Sequence, residues 1–235
     1  MEPLTIVIPV YNEGPNFPAL WKELCSQIHS EFIAFVVHDF PEDDTVPVVK
    51  QLALQDETRL RLLQNIVRRG VVGAILTGFQ QLERGPVLVV MADLSDDLSR
   101  VDEMLDLYRR GYKLVAGSRY IKGGSQQGGP WFKKLLSRTA GLSLHWLRGI
   151  PIHDATNAFK IYDKEMLSTL SLESQGGFEM NLEITVKAFL AGYPMAEVPT
   201  RWRHRTAGRS RFRLWAWLPR YLRWYVYAFR PVHKI

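Results

Sequence analysis

The chain has 235 residues, 46% hydrophobic and 23% charged, which is enough to bury one sizeable core and too apolar for a disordered segment. Its single cysteine, Cys25, excludes an internal disulfide framework and a cysteine-rich zinc site, and points to a reducing compartment. The formal charge of +6 is uneven, with arginines crowded toward the C-terminus, which calls for an anionic partner there, either nucleic acid or a membrane surface.

The first segment, "LTIVIPVYNE", enters a strand directly, with no basic region or cleavage site before it, so the chain is expected to stay in the cytosol. A helix carrying Leu20, Leu24 and Ile28 follows, then the strand "FIAFVVHD", a second helix over Thr45 to Leu54, the strand "LRLLQN", a third helix and the strand "VLVVMAD". Apolar runs bounded by polar turns and separated by periodic segments predict an α/β fold, with a mostly parallel sheet flanked by helices. In such sheets ligands sit beyond the carboxyl ends of the strands. The segments to watch are therefore Pro9 to Glu13, His38 to Asp44, Asn65 to Gly70 and Asp93 to Asp97.

Three of these four strand ends carry acids, which is not the composition of a phosphate cradle. No G-x-G-x-x-G follows the first strand and no G-x-x-x-x-G-K-[ST] occurs, so neither a dinucleotide fold nor a P-loop is supported. Carboxylates repel phosphates unless a divalent cation, or a ribose and base, lies between them. A sugar nucleotide held through Mg²⁺ or Mn²⁺ meets both needs. Asp43 or Asp44 is also placed to cap the helix that starts at Thr45. Ser99 followed by Asp102 suits a helix start in the same way.

Farther along, Lys133 and Ser137 lie one helical turn apart with Lys134 and Arg138 adjacent, so one helix face offers cations and a hydroxyl to a phosphate. The apolar stretch from Leu214 to Phe229 is broken by Pro219, Arg220 and Arg223, and no run reaches the roughly 18 to 20 residues of a membrane span. Trp215, Trp217, Tyr221, Trp224, Tyr225 and Tyr227 interleave there with Arg213, Arg220, Arg223 and Arg230. That mixture suits the lipid headgroup zone, with RNA binding or packing on the domain as alternatives. The expected organisation is a domain over 1–212 and a basic aromatic, amphipathic tail over 213–235.

Several motifs occur in a telling order: "IVIPVYNE" at 6–13, an Asp closing the second strand, "ADLS" at 92–95, "GSRYIKGG" at 117–124, "HDATNAFKIY" at 153–162, "GGFEMNLE" at 176–183 and "RTAGRSRF" at 205–212. The set resembles the family 2 glycosyltransferases, and within them the polyprenyl-phosphate (dolichol-phosphate) mannosyl and glucosyl synthases, from residue 4 to about residue 212. The resemblance implies a GT-A fold and transfer of a hexose, with inversion, from a nucleotide-diphosphate sugar to a polyprenyl-phosphate carrier at the cytoplasmic face of a membrane. Nucleic acid is not an expected partner.

The same resemblance assigns residues. Pro9, Tyr11 and Glu13 match the segment lining base and ribose, and Asp39 stands against the base, with His38 where a second acid is common. Ala92 and Asp93 end the family's Asp-x-Asp, whose first acid is Met91 here; a thioether is too soft for Mg²⁺ or Mn²⁺. Either Asp96 supplies the missing oxygen beside Asp93, or it belongs to the next helix start. Arg119 falls beside the diphosphate, Lys133 and Ser137 on the lipid phosphate. Arg205, Ser210 and Arg211 match a loop that closes over the nucleotide, with Gly208 permitting the bend. If the acceptor is a sugar hydroxyl, Asp154 and Glu179 are the candidate bases, Asp154 alternatively ordering its own loop. The rival readings are a non-catalytic sugar-nucleotide binder, a nucleic-acid module and a transferase to saccharides or glycolipids.

Overall fold

Four apolar runs become parallel strands: β1 (Leu4–Val10), β2 (Phe32–His38), β3 (Leu60–Gln64) and β4 (Pro86–Val89). They are joined by helices α1 (Phe17–Gln27), α2 (Thr45–Ala53) and α3 (Val71–Gln80). The structure is a computed structural model and describes residues 2–204 and 214–231. β1 is buried along its whole length, which is why its sequence alternates nothing and reads as a continuous apolar run. β1 and β2 pair in step from Leu4↔Phe32 to Val10↔His38, so the loops that follow them leave the sheet at one level. Pro9 sits where β1 has run past its last pair with β4, Val7↔Val89, so its missing N–H costs that ladder nothing.

The second half adds α4 (Val101–Arg109), β5 (Leu114–Ser118), β6 (Ser125–Gln127), α5 (Trp131–Arg148), β7 (Lys160–Asp163), α6 (Lys164–Thr169), α7 (Glu179–Leu190), β8 (Met195–Pro199), β9 (Arg201–Arg203) and α8 (Leu214–Tyr227). The main sheet runs β3-β2-β1-β4-β7-β5-β8, with β7 antiparallel to both of its neighbours and every other pairing parallel. The expected mostly parallel α/β sheet is what forms. β6 and β9 make a small parallel pair of their own. Strand order reverses between β1 and β4, so a crevice opens outside their carboxyl ends.

Each face of the sheet carries its own core. One is built on α1, α2 and α4, the other on α3, α7 and the inner side of α8. α3 lies so close to the sheet that a Cβ at Gly78 would come within 2.5 Å of the Val7 side chain. In α8, Trp224 is only 1% exposed and its indole N–H donates to Ser174 Oγ at 3.0 Å. This aromatic, expected among lipid headgroups, therefore belongs to the core. Among the described residues no helix is long and apolar enough to cross a membrane.

Candidate active site

The loop after β1 is shaped by the loop after β2. Asp43 is buried; it accepts the Asn12 N–H at 3.0 Å and the Thr45 N–H at 2.9 Å, while Asp44 accepts the Gly14 N–H at 2.8 Å and Thr45 Oγ1 accepts the Glu13 N–H at 3.0 Å. Asn12, at φ 52°, turns the chain in the left-handed region that Asn tolerates. Asp43 thus caps α2, as expected of one of the two acids, and also clasps the neighbouring loop. Tyr11 stands out from this clasp 41% exposed, edge-on to Phe40. Pro9 is buried at the end of the strand. Asp39 accepts Asn65 Nδ2 at 2.7 Å and the Gly70 N–H at 2.8 Å, which fixes its carboxylate between the ends of β2 and β3.

In the acidic turn after β4, Asp93 Oδ1 accepts both the Ser95 N–H at 3.2 Å and Ser95 Oγ at 2.5 Å, and this pins Leu94 at φ 59°. Ala92 is buried behind them. Asp96 folds back so that Oδ2 accepts the Met91 N–H at 3.4 Å, over the position where the family pattern has its first acid. Burial, then the charge of Asp93, pushes the Asp96 carboxyl up to about 7. Its place is beside Asp93 and not at a helix cap. Ser99 caps nothing either: its hydroxyl donates to Asp97 at 2.5 Å. Asp102 accepts the N–H groups of His29 and Ser30, 73 and 72 residues earlier in the chain, so the pair forms no capping box, although α4 does start here with Asp102 in its first turn, as expected.

Arg119 follows β5 and is held by Asp154. Its Nε and Nη2 donate to the two carboxylate oxygens at 2.6 and 2.9 Å, and its N–H to Oδ2 at 3.1 Å. Burial alone would lower the guanidinium's pKa, but the Asp154 charge overrides it and holds the group above its ordinary range. Arg119 Nη2 also donates to Ser137 Oγ at 3.2 Å, and that hydroxyl bonds Tyr120 and Thr156. Beside this network lies a cavity of about 440 Å³ whose wall includes Arg119, Lys122, Lys134 and Arg138. The resemblance gave Lys133 to the phosphate; the cavity wall includes its neighbours Lys134 and Arg138 of α5, which the sequence reading placed on the same cationic face. Their i, i+4 spacing was the available signal.

Neither candidate base is placed to serve as one. Asp154 is fully buried against Arg119, and it positions that guanidinium rather than merely ordering its own loop. Glu179 is 1% exposed, and its Oε1 accepts the Gly176 N–H at 2.8 Å. Lys160, unremarked in the sequence, is completely buried below the site, where Nζ donates to the carbonyls of Ala155 (2.9 Å) and Asn157. Burial drives this amine down to about 7, against the pull of Asp154. Arg205, Ser210 and Arg211 lie outside the described residues.

Residues 5–171 match the family described as Glycosyl transferase family 2. The chain belongs to glycosyl transferase family 2. Among curated relatives, polyprenol monophosphomannose synthase of Mycolicibacterium smegmatis is 33% identical over 88% of this chain and 79% of its own length. Dolichol-phosphate mannosyltransferase of Pyrococcus furiosus is 26% identical over 89% of this chain, which spans 59% of that relative. Among solved structures, glucosyl-3-phosphoglycerate synthase from Mycobacterium tuberculosis in complex with UDP superposes with a TM-score of 0.69, at 16% identity, over 96% of this chain and 79% of that one. At that identity the likeness establishes the fold alone, a GT-A-like sheet flanked by helices.

Proposed function

We propose that this family 2 glycosyltransferase moves a hexose from a nucleotide-diphosphate sugar to the phosphate of a polyprenyl-phosphate carrier, with inversion at the anomeric carbon. The observation that carries the reading is the cationic cavity around Arg119, in a chain 33% identical to a polyprenol monophosphomannose synthase. A phosphate monoester is already anionic at neutral pH, so its oxygen attacks without a strong base. That agrees with a site whose two candidate bases are buried and engaged. Arg119, Lys134 and Arg138 orient the acceptor phosphate, Ser137 joins them through Arg119, and Lys133 stands next in line on the same helix.

Tyr11, Glu13 and Asp39 are assigned to base and ribose, with the main chain at Ala92 beneath. Arg205, Ser210 and Arg211 are assigned to the diphosphate by resemblance. The donor set at the acidic turn fits a hard divalent cation: among the described residues no three acids, histidines or cysteines gather into a cage, but Mg²⁺ commonly uses one or two carboxylates together with substrate phosphates. Asp93 and Asp96 would hold Mg²⁺ or Mn²⁺; burial raises the Asp96 pKa most and the charge of Asp93 adds to it, and a bound cation would offset both. When bound, the ion neutralises charge growing on the leaving diphosphate. Glucosyl-3-phosphoglycerate synthase, of the same fold, has been solved with Mn²⁺ and UDP. A lipid acceptor calls for a membrane, here its cytoplasmic side, with the exposed side of α8 toward the surface.

The test is a panel of sugar nucleotides offered with and without Mn²⁺ and polyprenyl phosphate. Metal-dependent formation of a polyprenyl-phosphate sugar is the expected result. Transfer only to free glycans, or no turnover of any donor, overturns the reading.

A further inference from the structure

The turn at residues 154–157, between α5 and β7, carries two side chains that hold the groups beside the cationic cavity. Asp154 forks the Arg119 guanidinium, and two residues on, Thr156 Oγ1 bonds Ser137 Oγ at 2.6 Å. Arg119 follows β5 and Ser137 rides on α5, so one short turn places groups from two separate elements. A further bond ties the turn back to β5, where Asn157 Nδ2 donates to the Gly117 carbonyl at 2.8 Å.

The turn itself is held by Lys160. This residue opens β7, the strand inserted between β4 and β5, and its register partner is Ala116 near the end of β5. Its completely buried Nζ donates to the carbonyl of Ala155 at 2.9 Å and to that of Asn157, the residues on either side of Thr156. Thr185 Oγ1 also reaches the Ala155 carbonyl, at 3.4 Å, but that hydroxyl has a shorter bond, 2.7 Å, to the Asn181 carbonyl. Buried carbonyls need donors, and a buried amine is costly unless it is bonded. A neutral amine has two N–H groups, as many as the carbonyls that Lys160 faces, which agrees with its fall to about 7. Methionine would fill similar space without that desolvation cost and would take the donor away from both carbonyls. The amine therefore acts on the turn, and the turn carries the contacts to Arg119 and Ser137.

We propose that Lys160 is a positioning residue for the transfer reaction: by clamping the carbonyls on both sides of Thr156 it fixes Asp154 and Thr156, and through them sets Arg119 and Ser137 toward the acceptor phosphate. This rests on the reading of the cavity as the acceptor's place. Asp39 and Asp93, on the nucleotide side, are held from other loops, so loss of the clamp separates the responses of the two substrates.

The experiment compares the full-length parent, Lys160→Met, Thr156→Val and the double variant, with Mn²⁺, GDP-mannose or UDP-glucose as donor, and citronellyl phosphate as a short, water-soluble acceptor. Lys160→Met is expected to raise KM for the acceptor and lower kcat, each about tenfold or more, with the donor KM within about twofold of the parent. Thr156→Val, at a half-buried position, should raise the acceptor KM in the same way and keep its melting temperature. Because Lys160 acts through this turn, the double variant should lose less than the product of the two single losses. A lysine with a merely structural role would lower the melting temperature and move both KM values together, and losses that multiply would separate Lys160 from Thr156; either result overturns the proposal. So does a parental acceptor KM in Thr156→Val, which decides the matter if Lys160→Met fails to fold.

Hydrogen exchange reads the clamp without turnover. The Arg119 N–H, bonded to Asp154 Oδ2 at 3.1 Å, and the Asn157 N–H, bonded to the Asp154 carbonyl at 3.4 Å, should exchange about tenfold faster or more in Lys160→Met, with the amides of β1 at parental rates. Unchanged exchange at both amides overturns the proposal. Faster exchange in a protein whose parent form transfers sugar to no acceptor supports the clamp and counts against the proposed reaction.

Discussion

Asp154 holds Arg119 at three points, two on the guanidinium and one on the main-chain N–H, with the carboxylate fully buried. Removing one partner of such a pair strands the other without solvent, which typically costs about 3–5 kcal/mol. Asp154→Ala should lower stability on that scale in urea unfolding. Arg119→Lys keeps a charge and loses the fork, so it should fold and yet lose about a hundredfold or more in kcat. An Arg119→Lys enzyme with near-normal kcat would show that the guanidinium geometry plays no part in the reaction.

At the acidic turn, the donor set predicts dependence on a hard cation shared between protein and substrate. Chelation should abolish turnover, and Mg²⁺ or Mn²⁺ should restore it. Asp93→Asn should cost about 10²–10³ in kcat and remove the effect of Mn²⁺ on nucleoside-diphosphate affinity, read by calorimetry. Turnover that survives both chelation and Asp93→Asn would remove the metal from the scheme.

α5 rests on the loop that carries Asp154. A Cβ on Gly141 would lie 2.1 Å from the His153 carbonyl oxygen, so the helix approaches that loop as closely as backbone allows. Gly141→Ala forces them apart, at a cost of about 1–3 kcal/mol. Because Ser137, Lys134 and Arg138 ride on this helix, KM for the lipid acceptor should rise while KM for the nucleotide sugar stays put. Equal rises in both would mean that the helix is not what positions the acceptor.

The central strands were legible because a parallel strand buried on both faces must be apolar throughout and must end in polar turn residues. β1, β2 and β3 begin where their apolar runs begin, and β4 one residue earlier. The antiparallel insertion of β7 was not legible, since its partners lie far away in sequence. The same limit hid the tie from Asp102 to residues 29 and 30, which local patterning read as part of a cap. Exposed Trp and Leu on α5 have the spacing of a core stripe, and only burial tells them apart from one. Trp224 shows the opposite error, a core residue sitting in a segment whose composition suggests a lipid surface.

Lys160 gives a pH signature. Its amine falls from an ordinary 10.5 in the unfolded chain to about 7 in the fold, because burial disfavours the charged form. Between those values the unfolded state holds a proton that the folded state lacks, so stability rises with pH across the window and is lost as pH falls through about 7. One proton limits the slope to about 1.4 kcal/mol per pH unit. The charged groups that act on Lys160 are Asp154 and Arg119, which are paired with each other, and the pairing holds the Arg119 guanidinium above its ordinary range. Lys160→Met gives up the bonds to the Ala155 and Asn157 carbonyls, and with them the titration. Urea unfolding of parent and variant from about pH 7 to about pH 9.5 should therefore diverge, the parent gaining on the variant as pH rises. Parallel curves would mean that Lys160 keeps its proton in the fold, as an ammonium held by those carbonyls and Asp154.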